Sequence, residues 1–152
     1  GYYPTNVYWE AVEKYNLQEI LGEGEVIYGE VYGEGIQKGY TYGCNHGEHH
    51  LVVFDILKNG EYLSFGDVLE RCRFLGLQTV PVVYSGMFNG SLQDPENTAS
   101  EFVGGASALD SSQEVREGVV IRSRYEEICY AGRKIMKFVN PEYLLRDQTE
   151  FH

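Results

Sequence analysis

Three ionisable side chains stand inside runs that are otherwise apolar or glycine-punctuated: Glu30, Glu117 and Lys137. Glu30 lies between Gly29 and Val31-Tyr32-Gly33, where strand alternation puts it on one face with Tyr28 and Tyr32. A carboxylate there takes a sugar hydroxyl, a metal or an Arg, or it faces solvent from a half-covered sheet. Glu117 opens the run Gly118-Val119-Val120-Ile121-Arg122, and a regular strand would point Glu117 and Arg122 to opposite faces. Lys137 shares a face with Ile135 and Val139, from which it either meets a bound anion or carries its ammonium to water. Phe54-Asp55 follows the apolar Leu51-Val52-Val53, and the Phe54 ring is a core residue or a base-stacking platform. The cluster Cys44-Asn45-His46-Gly47-Glu48-His49-His50 has a spacing that matches no closed zinc site. Its imidazole density suits adventitious binding of transition metals.

The elements that must position these residues can be read from periodicity and punctuation. Residues 5–21 are expected to form a helix capped by Thr5 or Asn6, with Tyr8, Ala11, Val12 and Tyr15 recurring on one side. Val26–Tyr32 and Leu51–Leu57 are β-branched and aromatic, hence strands, with a glycine-punctuated segment between them. Lys58-Asn59-Gly60-Glu61 turns the second strand into a short one, Tyr62 to Phe65. Ser64 caps a helix whose inner stripe is Val68, Leu69, Cys72 and Leu75. Further strands are expected at Thr79–Tyr84, Gly118–Arg124 and Lys134–Val139, with a helical turn after Pro141. Residues 89–114 are polar and Gly/Ser-rich, a linker or lid with one short helix near Glu101–Asp110. The pattern is α+β with a largely antiparallel sheet, in one domain spanning 1–152.

Composition narrows the function. The 152 residues carry 12 Lys+Arg against 23 Asp+Glu, a net charge of -11, which excludes a generally basic nucleic-acid-coating protein. An apolar fraction of 43% excludes a disordered acidic chain. No apolar run reaches the ~18 residues of a membrane span, so no membrane partner is expected. Cys44, Cys72 and Cys129 imply no disulfide framework and point to a reducing, cytoplasmic setting. The charge is also uneven. Residues 1–34 hold seven Glu against Lys14 alone, whereas 116–137 hold Arg116, Arg122, Arg124, Arg133, Lys134 and Lys137 against three Glu. Such clustering suits a polyanion, or else a solvated face laced with ion pairs.

Taken in order, these segments resemble one family. Ile27-Tyr28-Gly29-Glu30-Val31-Tyr32-Gly33-Glu34-Gly35-Ile36-Gln37-Lys38, Tyr42-Gly43 and Val53-Phe54-Asp55-Ile56 resemble nucleotidyltransferase motifs III and IIIa. Glu117–Arg122 resembles motif IV, and Lys134-Ile135-Met136-Lys137-Phe138-Val139-Asn140 resembles motif V. The set is similar to ATP-dependent RNA ligases of the RNA ligase 2 type, within the covalent nucleotidyltransferase superfamily. The resemblance implies an ATP-grasp-like adenylylation domain of antiparallel sheets and flanking helices, serving RNA repair. In that family ATP adenylylates a lysine, AMP passes to an RNA 5′-phosphate, and a 3′-hydroxyl then displaces AMP.

Carried onto this chain, the resemblance gives each residue a role. Glu30 would contact the ribose, Phe54 would stack on adenine, and Asp55 would support their strand. Glu117 would organise a magnesium ion and its waters, Lys137 would bind the α-phosphate, and Arg122 would assist at the phosphates. Two departures matter. No K-x-(D/H/N)-G motif I occurs in these residues, since Lys14 precedes Tyr15-Asn16-Leu17 and Lys58 precedes Asn59-Gly60-Glu61. Val139 stands where many members carry a second lysine. The expectation is therefore the carboxy-terminal part of an adenylylation domain, incomplete at its amino terminus, with motif I supplied by another segment or chain. The alternative is a catalytically silent regulatory module that binds a nucleotide or an RNA end.

Overall fold

A computed structural model of the chain describes residues 6–36, 42–87, 101–111 and 113–149, with side chains described as far as Leu145. Thr5 of the expected first helix, Gln37 and Lys38 of the motif III stretch, and residues 89–100 and 112 of the expected linker or lid lie outside the described residues. The chain divides into two compact units, Gly1–Val80 with Arg124–Glu126, and Pro81–Ser123 with Glu127–His152.

The first unit is a four-stranded sheet faced by helices. Helix α1, Val7–Lys14, begins where the Asn6 side chain accepts hydrogen bonds from the Tyr8 and Trp9 N–H groups, at 3.0 and 3.4 Å. The single helix expected over 5–21 is broken at Asn16, which takes a left-handed conformation (φ 51°) before the short α2, Leu17–Ile20. Asparagine tolerates that conformation better than most residues, so the break sits where the sequence permits it. Strand β1, Glu25–Gly33, pairs antiparallel with the central β2, His49–Lys58. Asn59 and Gly60 turn the chain with positive φ, 52° and 85°, as a two-residue hairpin requires. Strand β3 is only Glu61–Tyr62, shorter than expected.

Helix α3, Phe65–Leu75, starts at the Ser64 cap and ends at Gly76. Its Val68 and Cys72 are wholly buried against Val31, Leu51, Val53, Ile56 and Leu77. Strand β4, Gln78–Thr79, then lies parallel to β2. The strand expected over Thr79–Tyr84 stops there. Pro81 has no N–H to donate to the ladder, and Val82, Val83 and Tyr84 are exposed. Arg71 of α3 grips the buried Glu25 carboxylate with two hydrogen bonds of 2.7 Å, tying helix to sheet at the start of β1.

The second unit pairs β5, Gly118–Arg122, antiparallel with β8, Ile135–Val139. Between them stands a small hairpin that periodicity did not announce: β6, Ile128–Cys129, and β7, Gly132–Arg133. Residues 101–103 are helical, and the expected helix over 101–110 goes no further. The turn expected after Pro141 is a full helix, α4, Pro141–Thr149. Pro141 suits the first position of a helix, where its missing N–H costs nothing. The architecture is α+β with largely antiparallel pairing. Among the described residues, no helix is long and apolar enough to cross a membrane.

Candidate functional site

In the first unit, the motif residues sit at a break in the β1–β2 ladder. Tyr28 pairs with Asp55, but Gly29 pairs with Val53, so Phe54 is an extra residue bulged from β2. The consequence for Phe54 is visible in its burial. Val53 and Asp55 are 0% and 4% exposed, yet Phe54 between them is 42% exposed. An aromatic ring is thus held at the surface of an otherwise buried strand. The bulge leaves β1 alternation intact, so Tyr28, Glu30 and Tyr32 share a face with their partners Asp55, Val52 and His50. Tyr32 stacks on the His50 ring with centroids 5.6 Å apart, and burial raises its phenol above the ordinary value of 10.0. Glu30 is exposed at this face.

Glycine beside the carboxylate is a steric requirement. A Cβ on Gly29 would stand 2.7 Å from the Val52 carbonyl oxygen and 2.8 Å from Leu51 Cδ1. Only glycine lets the two strands close at the step where Phe54 bulges. Gly118 plays the same part in the second unit, where a Cβ would collide with the Phe138 carbonyl oxygen. Both motif carboxylates are therefore placed by an adjacent close backbone approach.

In the second unit, Lys137 Nζ lies 3.1 Å from Glu117 Oε1, and both side chains are solvent-accessible, at 61% and 39%. Lys137 is opposite Val120 in the ladder, and Arg122 is opposite Ile135, so Arg122 and Lys137 share a face of β5–β8. Strand alternation places Glu117 on the other face from Arg122. Glu117 nevertheless reaches Lys137, because it precedes the first paired residue and regular alternation does not constrain it.

What holds Glu117 is Asn140, which is 3% exposed. The Asn140 backbone N–H donates to the Glu117 carbonyl at 2.7 Å, and its side-chain amide donates to the Arg116 carbonyl at 2.9 Å. The Asn140 Oδ1 accepts from the Glu142 N–H at 3.0 Å, capping α4. One buried side chain therefore fixes the residues before β5, the end of β8 and the start of α4.

Part of the basic segment is structural. Arg116 donates to the Ala106 carbonyl at 3.2 Å and to the Phe102 carbonyl. Lys134 Nζ lies 2.7 Å from Glu127, which pushes the carboxyl below and the lysine above their ordinary values. The histidine cluster is likewise paired with carboxylates. His46 faces Glu34 at 3.0 Å, His49 faces Glu10 at 3.0 Å, and His50 faces Glu48 at 2.7 Å. Of these groups, Glu10, His46, Glu48 and His49 help line a cavity of about 300 Å³ with Lys14. Among the described residues, no three His, Cys, Asp or Glu side chains are arranged to hold a metal ion.

A family model for RNA ligases matches residues 2–139. The chain belongs to the RNA ligase family. Its fold is similar to that of a solved Naegleria gruberi RNA ligase with PPi, with a TM-score of 0.77 and 21% sequence identity. That match covers 98% of this chain and 43% of the other, so the chain spans less than half the length of that ligase. No curated protein matches the chain.

Within this RNA ligase chain, Asn140 is the residue that reading the motifs passed over. The signal was present as Asn140-Pro141-Glu142, an N-cap followed by a first-turn proline and an acidic residue. Asn140→Ala leaves the Arg116 carbonyl without its donor and α4 without its cap. We expect a loss of about 1–3 kcal/mol in the second unit. Urea unfolding followed by circular dichroism checks it, and an unchanged midpoint would contradict it.

Proposed function

We propose that the chain is the nucleotide-binding portion of an ATP-dependent RNA ligase, binding ATP or AMP with magnesium to seal RNA 5′-phosphate and 3′-hydroxyl ends. The observation that carries this reading is the Glu117–Lys137 contact of 3.1 Å, which joins one residue from motif IV to one from motif V. A solvent-accessible lysine held against a carboxylate is a site prepared for a phosphate and its cation. Glu117 offers a single open carboxylate, which suits magnesium because that ion keeps most of its waters and shares phosphate oxygens. The ion would supply charge neutralisation at the triphosphate. Lys137 would bind the α-phosphate and stabilise the charge that develops as the adenylyl group leaves. Arg122, on the same strand face, would assist at the phosphates. Glu30 would hold the ribose and Phe54 would stack on the adenine.

The lysine nucleophile comes, in this reading, from outside these 152 residues, where no K-x-(D/H/N)-G motif occurs. An amine is required because the intermediate is a phosphoramidate. Calorimetric titration with ATP and magnesium tests the reading. Phe54→Ala is expected to weaken ATP binding roughly 5- to 150-fold, the worth of about 1–3 kcal/mol of base stacking. Because Phe54 is an exposed bulge residue, the variant should keep its fold. Wild-type protein that takes up no ATP would count against the reading.

A second reading rests on Val139, which stands exposed on the Lys137 face where a second lysine is common in the family. With one cation fewer, the chain would bind a nucleotide or an RNA end as a catalytically silent regulatory module. ATP binding that never leads to covalent labelling, even with a motif I segment added, would favour it.

A further inference from the structure

The β6–β7 hairpin carries side chains that the nucleotide site does not use. Its loop is two residues, Tyr130-Ala131, between the paired Cys129 and Gly132. Its base is fastened. The Lys134 N–H donates to the Glu127 carbonyl at 2.8 Å, Lys134 Nζ pairs with the Glu127 carboxylate at 2.7 Å, and Ser123 Oγ donates to that carboxylate at 2.6 Å. Beyond this base, Ile128 is 81% exposed and Tyr130 is fully exposed. The short loop therefore presents a tyrosine ring in water on a pinned support.

Charge narrows what would cover it. Within residues 122–137 the second unit holds Arg122, Arg133, Lys134 and Lys137 against Glu127, in a chain of net charge -11. A positive stretch in an acidic chain attracts a polyanion, and an exposed ring within it offers a π-face to a base. Two exposed apolar side chains are far less than the roughly 800 Å² per partner that a stable protein interface buries. An unpaired nucleotide needs little more than one ring and nearby cations.

We propose that the β6–β7 hairpin contacts an unpaired nucleotide of the RNA strand, with its base stacked on Tyr130 and its phosphates drawn by the flanking basic residues. Naming RNA as the strand rests on the ligase reading; the stacking and the charge do not. Preorganisation favours the contact, because the fastened hairpin leaves little backbone freedom to lose on binding.

Fluorescence anisotropy of a short, labelled single-stranded RNA with the 152-residue chain tests this. Wild-type binding is expected to weaken as salt rises, and Tyr130→Ala is expected to weaken it roughly ten-fold or more. Tyr130→Phe keeps the ring and should keep the affinity. Unchanged affinity in Tyr130→Ala, or no RNA binding by the wild type, would overturn the proposal. So would self-association that Tyr130→Ala abolishes while RNA affinity is unchanged, because a second copy would then be the occupant. ATP titration of the same proteins separates this contact from the nucleotide site. Tyr130-dependent RNA binding without ATP binding would support the hairpin contact and defeat the nucleotide reading.

Discussion

Lys137→Met is expected to slow AMP transfer onto a motif I lysine about 10²- to 10³-fold, the loss typical of removing one preorganised charge at a developing anion. The substitution keeps most of the stem and removes the ammonium. Lys137 is largely exposed and pairs with an accessible carboxylate, so the fold should survive the change. In the proposed reading its effect would belong to charge at the phosphate rather than to packing. Circular dichroism should overlay that of the wild type, while single-turnover labelling from ATP falls. Lys137→Arg should recover part of the rate, since it restores the cation but alters its geometry. A Lys137→Met variant that labels at the wild-type rate would remove the residue from the chemistry.

The largest effect on stability is expected from Arg71→Met. Arg71 binds Glu25 through Nε and Nη2, both at 2.7 Å, and the Gly22 N–H donates to the same carboxylate at 2.9 Å. The Glu25 side chain is 1% exposed, whereas that of Arg71 is 25% exposed. Removing the guanidinium strands a buried charge, which costs about 3 kcal/mol. Thermal unfolding should fall by several degrees.

The same pair sets an acid limit. Hydrogen bonds from Arg71 hold the Glu25 carboxyl below its ordinary value of 4.5 against the opposing cost of burial. The unfolded chain therefore takes up a proton on Glu25 at higher pH than the folded chain does. The stabilisation is fully present above about pH 4.5 and is lost as pH falls through the depressed folded value. In Arg71→Met this acid-dependent component should shrink. Equal acid sensitivity in both proteins would contradict the assignment.

Much of the frame was legible because local patterns and packing agree. Leu51 and Val53 in β2 and Val68 and Cys72 in α3 are where alternation and helical spacing place a core, and all four are buried. Asn59-Gly60 announces its turn for the same reason. Other features depended on pairing that the sequence does not display. The expected 5–21 helix hid the left-handed break at Asn16, and the strand expected over 79–84 ignored the missing donor of Pro81. The bulge at Phe54 is a relation between two strands. Nothing in β2 alone says which residue will bulge between the partners of Tyr28 and Gly29.

The candidate site divides the same way. Residue types and their order marked Glu30, Phe54, Glu117, Arg122 and Lys137 as worth attention. The Glu117–Lys137 contact and the bonds of Asn140 to Glu117 and Arg116 appear only when residues 20 or more positions apart are brought together. The basic stretch was half understood. Arg116 donates to backbone carbonyls and Lys134 pairs with Glu127, so the positive charge there is partly scaffold.

The central claim is that this chain supplies the nucleotide-binding groups for adenylylation of a lysine that lies outside it. The most direct measurement mixes the chain with a segment bearing an RNA ligase motif I lysine, adds α-labelled ATP and magnesium, and follows covalent label on the protein. Label on the motif I segment, acid-labile as a phosphoramidate and dependent on Glu117 and Lys137 of this chain, is the predicted result. Absence of covalent label in every pairing, including the motif I segment fused ahead of this chain, would contradict it.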